Sequence, residues 1–158
     1  MIFESDQLTY RNIARGLFFL DGRVLLAQDK NQGHYFPPGG GVDFGEPIES
    51  ALQRELLEEL GWRTEVKRFV GCLEHSWKGK KNNFETNFYF VLDVLDGDVK
   101  NPVSKESHLN FEWVELSRLT SLKIFPEDLL PKLIHQAAEG EFGAVQLVYN
   151  SQVVREFI

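Results

Sequence analysis

The 158-residue chain contains one cysteine, Cys72, and one methionine, Met1. A single thiol excludes an intramolecular disulfide and a cysteine-based zinc site, and it fits a reducing compartment. No apolar run approaches the roughly eighteen residues that read as a membrane span. The opening Met1-Ile2-Phe3-Glu4-Ser5-Asp6 has neither the basic leader nor the apolar core of a signal peptide. A cytoplasmic protein without a membrane partner is the expectation. Positive charge is also scarce: Lys and Arg number 17 against 24 Asp and Glu, for a net charge of −7. That balance speaks against sequence-independent nucleic-acid binding, which needs a basic face to displace phosphate counterions. A phosphate-bearing substrate would have to be met by a metal or by a few localised basic side chains. Repeats, low-complexity tracts and linkers are absent, and 42% of the residues are hydrophobic. One domain spanning residues 1–158 is therefore expected.

Two apolar runs, 12–20 and 23–28, are joined by Asp21-Gly22, a strong hairpin signal. Residues 31–45 hold Gly33, Pro37, Pro38, Gly39, Gly40, Gly41 and Gly45 and read as loop. A helix over 47–60 follows, with Pro47 suited to its first position and Gly61 to the left-handed position past its end. Leu52, Leu56 and Leu60 give it an apolar stripe. Residues 63–75 and 84–95 read as long strands around a polar Lys/Gly/Asn loop. The second shows one core face and one face carrying Glu85 and Asn87. A short strand at 111–115, a helix at 127–138 broken or kinked by Pro131, and a strand at 144–149 complete the pattern. The order implies an α+β fold with a mixed sheet between helices.

The helix at 47–60 carries the chemistry. Glu55, Glu58 and Glu59 stand at i, i+3 and i+4 and share an arc of about a hundred degrees, apart from the leucine stripe. Like charges so placed repel by roughly 0.2–0.5 kcal/mol per pair. For a helix taken at random, a solvated acidic face would explain them. The frame around the trio points elsewhere: Gly40, five residues, Glu46, seven residues, then Arg54-Glu55-Leu56-Leu57-Glu58-Glu59-Leu60-Gly61-Trp62.

That pattern resembles the Nudix box, G-x5-E-x7-R-E-U-x-E-E-x-G-U, where U is a bulky aliphatic residue. The fixed positions match in register, and the one departure is Trp62 at the final U, where local repacking is expected and no loss of chemistry. The box covers 23 residues, Gly40–Trp62. The order of elements resembles the Nudix hydrolase domain, an α/β/α sandwich, over about residues 10–140. The resemblance implies a Mg2+ cofactor, replaceable by Mn2+, held by Glu55 and Glu59 with Glu58 as a further ligand or proton acceptor. The Gly39 carbonyl would complete the inner shell. Arg54 would orient Glu55 through a charge-assisted hydrogen bond, Glu46 would tie the loop down, and Gly40 and Gly45 would permit turns closed to other residues. Magnesium suits such a set because it takes oxygen ligands and is commonly shared between carboxylates and substrate phosphates.

Family members often recruit one more carboxylate from beyond the box. Glu106, in the polar loop before Glu112-Trp113, is the first candidate and Glu85 the second. Their plainer readings are a solvated loop residue and a salt bridge within the sheet, for instance with Arg15. Arg15 itself, Lys81 in the basic run Lys78–Lys81, and the rings of Tyr35, Phe36 and Trp77 are candidates for substrate contacts; core packing and a solvated hairpin tip are the competing explanations. None of His34, His75, His108 and His135 pairs with another at metal-ligand spacing.

The reading is a Mg-dependent pyrophosphohydrolase acting on a nucleoside diphosphate linked to another moiety, a nucleoside triphosphate or a nucleotide sugar such as ADP-ribose. Two alternatives stand beside it. One is a nucleotide-binding sensor on the same fold, disfavoured because a pure binder need not keep three repelling carboxylates. The other is an isomerase-like use on an isoprenoid diphosphate. Many relatives dimerise, so a homodimer stays open.

Overall fold

A computed structural model describes residues 2–4, 8–127, 129–140, 146–149 and 153–156. The Asp21-Gly22 turn places both residues at positive φ, 48° and 72°, which a two-residue type I′ hairpin requires. It joins β3 (Phe19–Leu20) to β4 (Arg23–Asp29). The apolar run 12–20 is not one strand, however. β2 (Leu8–Leu17) belongs to a different sheet from β3, and the chain changes sheets at Phe18. Phe18 is buried edge-on against Trp62, so an apolar residue occupies the crossing point and hides it from any hydrophobicity pattern.

The first sheet has the order β1–β2–β7–β6, with β1 at Ile2–Glu4, β6 at Arg63–Lys78 and β7 at Asn82–Asp96. β2 and β7 run parallel, and the two outer pairings are antiparallel, so the sheet is mixed. β6 and β7 extend past the expected 63–75 and 84–95 to a tight hairpin around residues 79–81. In the second sheet β8 (Leu109–Glu115) pairs with β4, which also pairs with β3 and with β5 (Tyr35–Phe36), a short strand inside the expected loop 31–45.

Alternate residues of β4 feed two cores. Val24 and Leu26 pack with Leu130, Leu133 and Ile134 of α2 (Leu130–Ala138). Leu25 and Ala27 pack with Ala51, Leu52, Leu56 and Leu60 of α1 (Ile48–Leu60). The sheets thus lie between helices, and the α/β/α sandwich expected from the sequence is the observed architecture. β7 obeys the same division: Phe90 and Leu92 join the α1 core, and Tyr89 and Val91 join the other. Its second face is therefore core as well at Tyr89 and Val91, and Glu85 and Asn87 keep the preceding stretch polar.

Three local expectations need correction. Pro47 is the N-cap of α1, with φ −61° and ψ 139°, one position before the helix. Its ring fixes a φ compatible with either place, so the sequence cannot separate them. α2 begins at Leu130, which puts Pro131 in the first turn, where a missing N–H leaves no helical bond broken and causes no kink. Residues 116–121 form a 3₁₀ turn that no periodicity announced. Of the expected last strand, Gln146–Tyr149 is β9, paired antiparallel with β10 (Val153–Glu156); residues 144 and 145 lie outside the described residues.

Trp62, the departure at the end of the box pattern, is buried and packed under Gly97. A Cβ at Gly97 would stand 2.3 Å from Trp62 Cδ1, and φ there is +147°. The bulky indole is thus accommodated by a glycine 35 positions later. We predict that Gly97→Ala destabilises the fold by about 1–3 kcal/mol, the ordinary cost of overpacking. Thermal melting would read this as a fall of several degrees, and an unchanged melting temperature would contradict the packing account.

Candidate active site

The loop from Pro37 to Gly41 is laid along β2 by backbone bonds, Ala14 N–H to Gly40 O at 2.9 Å and Gly16 N–H to Pro38 O at 2.8 Å. Gly39 sits at the closest approach, with φ +124°, and a Cβ there would lie 2.2 Å from the Ala14 carbonyl oxygen. Only glycine fits. Its N–H donates to Glu59 Oε2 at 2.9 Å, and its carbonyl accepts from Arg15 Nη1 at 2.8 Å. Gly40 has a different reason from the expected turn: its φ is not positive, but a Cβ would stand 2.4 Å from the Glu55 carboxyl carbon. The glycine vacates the space that the Glu55 carboxylate fills.

The three glutamates of α1 differ in surroundings. Glu59 is 4% exposed, and burial pushes its pKa up to about 8. The Gly39 N–H and the Arg15 guanidinium oppose that shift, while the charges of Glu106 and Glu55 add to it. Glu55 accepts from Arg54 Nη1 at 2.8 Å. Glu58 has a side chain 55% exposed, accepts from the same Nη1 at 3.4 Å, and does not line the central cavity.

Arg54 also grips Glu46 with two bonds, Nε to Oε1 and Nη2 to Oε2, each 3.0 Å, and donates to the Gly41 carbonyl at 3.1 Å. Glu46 in turn accepts from the Asp43 N–H at 3.2 Å. These carboxylates hold Arg54 firmly protonated, and Arg54 holds Glu46 below the usual carboxylate range. Gly61 closes α1 with its N–H on the Leu57 carbonyl at 2.9 Å.

A cavity of about 840 Å³ opens beside this loop. Its carboxylate side contains Glu55, Glu59 and Glu106. Glu106 is brought there because Lys105 N–H bonds the Glu59 carbonyl at 2.7 Å, tying the loop before β8 to the end of α1. His108 Nε2 lies 3.4 Å from Glu106 Oε2. Arg15 bridges to the far side, donating to Asn87 Oδ1 and Pro37 O at 3.2 Å each and lying 4.9 Å over the ring of Phe36.

Beyond Arg15 the cavity is lined by Arg11, Glu85, His75, Trp77 and Phe125. Glu85 is ion-paired with Arg11, not with Arg15. The parallel register of β2 and β7 sets Arg11 beside Glu85 and Arg15 beside Tyr89, so the register chooses the partner. Tyr35 also lines the cavity; burial and then a hydrogen bond with Glu112 raise its pKa. Lys81 stays at the tip of the β6–β7 hairpin and does not line the cavity.

Among the described residues no three His, Cys, Asp or Glu side chains converge on a point able to hold a metal ion, and Glu55 and Glu58 are both ion-paired with Arg54. The donors around the carboxylate side are nonetheless all oxygen, and the buried Glu59 carboxylate faces two like charges, an arrangement that a hard divalent cation would relieve. Arg11, His34, His75, Asn87 and Phe125 were not singled out from the sequence as substrate contacts. For Arg11, His75 and Asn87 the signal was the alternation on the strands, since Arg11 and Arg15, His75 and Trp77, Glu85 and Asn87 each share a face; His34 and Phe125 lie outside the strands and had no such signal.

The NUDIX domain family model matches residues 10–133. An ADP-ribose pyrophosphatase of Methanocaldococcus jannaschii is 30% identical over 119 residues, covering 73% of this chain and 68% of that protein. An RNA pyrophosphohydrolase of Sphingopyxis alaskensis is 27% identical, covering 90% and 98%. Among solved structures, the mutator MutT protein of Bacillus halodurans superposes with a TM-score of 0.65 at 18% identity, over 91% of this chain and 94% of that one. The chain belongs to the NUDIX family. It is a hydrolase of phosphoric anhydride bonds, and its fold is the family's α/β/α sandwich.

The burial of Glu59 has a consequence for stability. Its folded-state pKa lies above the ordinary 4.5, so between about pH 4.5 and 8 the folded protein keeps a proton that the unfolded chain has lost. The stability from neutral Glu59 is fully present below that window and is lost as pH rises through it. We predict a loss of the order of 4 kcal/mol across the window in chelator. Glu59→Gln should flatten this part of the profile, as read by denaturant unfolding at a series of pH values. A wild-type profile already flat would show that Glu59 is ionised throughout.

Proposed function

We propose that this chain is a Mg2+-dependent pyrophosphohydrolase that splits a nucleoside diphosphate linked to a further group, either a nucleoside triphosphate or a nucleotide sugar such as ADP-ribose. The observation that carries the reading is the buried Glu59 carboxylate, set beside Glu55 and Glu106 at one side of a cavity large enough for a nucleotide. The working unit is one domain over residues 1–158, and the single cysteine suits the cytoplasm. No helix among the described residues is long and apolar enough to cross a membrane.

Glu55, Glu59 and the Gly39 carbonyl would hold the ion, with Glu58 as the further box carboxylate. When bound, magnesium would neutralise the diphosphate and lower the pKa of an attacking water. The protein's own contributions are distinct. Arg54 keeps Glu55 oriented and the loop bearing Gly41 and Glu46 in place. Arg15, the cation between the two sides of the cavity, binds a phosphate oxygen. Glu106 accepts the proton of the attacking water at a carboxylate oxygen. Glu85 is the weaker candidate for that role, because Arg11 already neutralises it.

A panel of nucleoside triphosphates, nucleotide sugars and dinucleoside polyphosphates, read by product identity, tests the reading. Turnover should vanish in EDTA and return with Mg2+ or Mn2+, and the metal should raise the melting temperature because it binds only the folded state. Full activity in chelator would overturn the mechanism. Glu58→Gln and Glu59→Gln should each lower kcat by about a hundredfold or more while the protein stays folded. Glu106→Gln should lower kcat with KM and metal affinity nearly unchanged and remove the acidic limb of the pH profile. If Glu85→Gln carries the rate loss instead, the proton acceptor is on β7.

A further inference from the structure

The aromatic side of the cavity has no part in the hydrolytic machinery above, yet it is built. Trp77 and His75 stack with centroids 5.3 Å apart and planes inclined by 24°, and His75 faces Phe125 at 6.0 Å with the same inclination. His34 connects Phe125 to Phe36 at 6.4 and 5.4 Å. Burial lowers the pKa of both histidines, so their rings are neutral near pH 7 and present uncharged faces. Trp77 and Phe125 keep more than a third of their surface open although both line a cavity. His75 is held between the two, and the aromatic surface that Trp77 and Phe125 keep open at the ends of the stack suits a planar ligand ring.

A polar pair stands beside these rings. The Arg11 guanidinium lies 5.7 Å from the Trp77 ring centroid and is ion-paired with Glu85, whose side chain is 13% exposed. The other contact of Glu85 is the Asn87 amide at 3.5 Å, the outer limit of a hydrogen bond, and Asn87 Oδ1 is already taken by Arg15. A guanidinium has five donors and a carboxylate about four acceptor sites, so the pair retains unused donors and unused acceptors side by side. Arg11 and Arg15 are four residues apart on β2, roughly 13 Å along the strand, which leaves room for a sugar and the first phosphates between them.

We propose that this side of the cavity seats the base of the nucleotide substrate and that Arg11 and Glu85 select guanine. The inference rests on the hydrolase reading for the placement of the diphosphate at Glu55, Glu59 and Glu106. Guanine carries O6 and N7 acceptors, which match a guanidinium, and beside them an N1–H and an N2 amine, which a carboxylate accepts with both oxygens. Adenine offers one amine flanked by acceptors, so a second carboxylate oxygen would meet a lone pair. Uracil places its N–H between two carbonyls, which repel the carboxylate. Arg11 and Glu85 are thus specificity-determining residues, and Trp77 and Phe125, braced by His75 between them, supply the aromatic contact.

The test is equilibrium binding to the full chain in EDTA, by calorimetry and tryptophan fluorescence, with 5′-GMP, 5′-AMP, 5′-UMP and ribose 5-phosphate as probes. Trp77 is the tryptophan that lines the cavity, so its quenching reports the seat. 5′-GMP should bind about tenfold tighter than 5′-AMP or 5′-UMP, as one good bidentate contact allows, and ribose 5-phosphate should bind far more weakly than any of them. Trp77→Phe should abolish the quench, and Glu85→Gln should bring 5′-GMP to within about twofold of 5′-AMP. If Glu85→Gln does not fold, the R11Q/E85Q double variant, which strands no charge, serves for the same comparison. Equal binding of 5′-GMP and 5′-AMP to the wild type, binding of ribose 5-phosphate as tight as 5′-GMP, or no nucleotide binding at all would overturn the proposal. Because no turnover is needed, loss of the hydrolase reading leaves this outcome legible. Hydrolysis without base preference would overturn only the guanine seat.

Discussion

One residue, Gly39, is held through both of its backbone polar groups, and the site is arranged around it. Glu59 accepts its N–H and Arg15 donates to its carbonyl, while the backbone of Ala14 lies too close for any side chain. This contact joins three otherwise separate pieces: the end of α1, the start of the mixed sheet and the loop between them. It also explains how a carboxylate comes to be buried. Glu59 loses water but gains a backbone donor and a nearby guanidinium, which offset part of the desolvation cost without removing it. What remains is a group that favours a cation or a proton.

Arg54 does the complementary work on the outer side of the helix. Its contacts with Glu46, Glu55 and Glu58 spread one positive charge over three carboxylates, and its bond to Gly41 extends the brace to the loop. Repulsion within the acidic trio is thereby shared out: one member is buried on Gly39, and two are drawn to a common guanidinium. Metal binding at Glu55 would compete with Arg54 for the same carboxylate, and the brace and the ion would then be coupled through one residue.

The mixed sheet supplies the other half of the cavity. Because β2 and β7 run parallel, charged residues four apart on one strand meet different partners on the next, Arg11 beside Glu85 and Arg15 beside Tyr89. One arginine is ion-paired with Glu85 beside the aromatic rings, and the other stands between those rings and the carboxylates. On the proposed reading, the chemistry of hydrolysis and the recognition of the group attached to it would fall to different elements, a helix and a pair of strands. Such a separation would let loops and strand faces change specificity while the helix is kept.

The sequence by itself determined the hairpin and the helix, because each rests on neighbours in the chain, and the resemblance carried by its box implied the class of reaction. The spacing of Arg54, Glu55, Glu58 and Glu59 is a property of 3.6 residues per turn, and the Asp21-Gly22 turn is a property of two residues. The sandwich was legible too, from the order of elements and the box together. Tertiary structure alone decided the rest: the change of sheets at Phe18, the pairing of Glu85 with Arg11, the arrival of Glu106 beside Glu59, the reason Gly40 must be glycine, and the meeting of Trp62 with Gly97. Each of these depends on strand register or on a contact between segments far apart in the chain. Local pattern carries no record of which distant backbone will lie opposite, and that is settled only when two buried faces pack together.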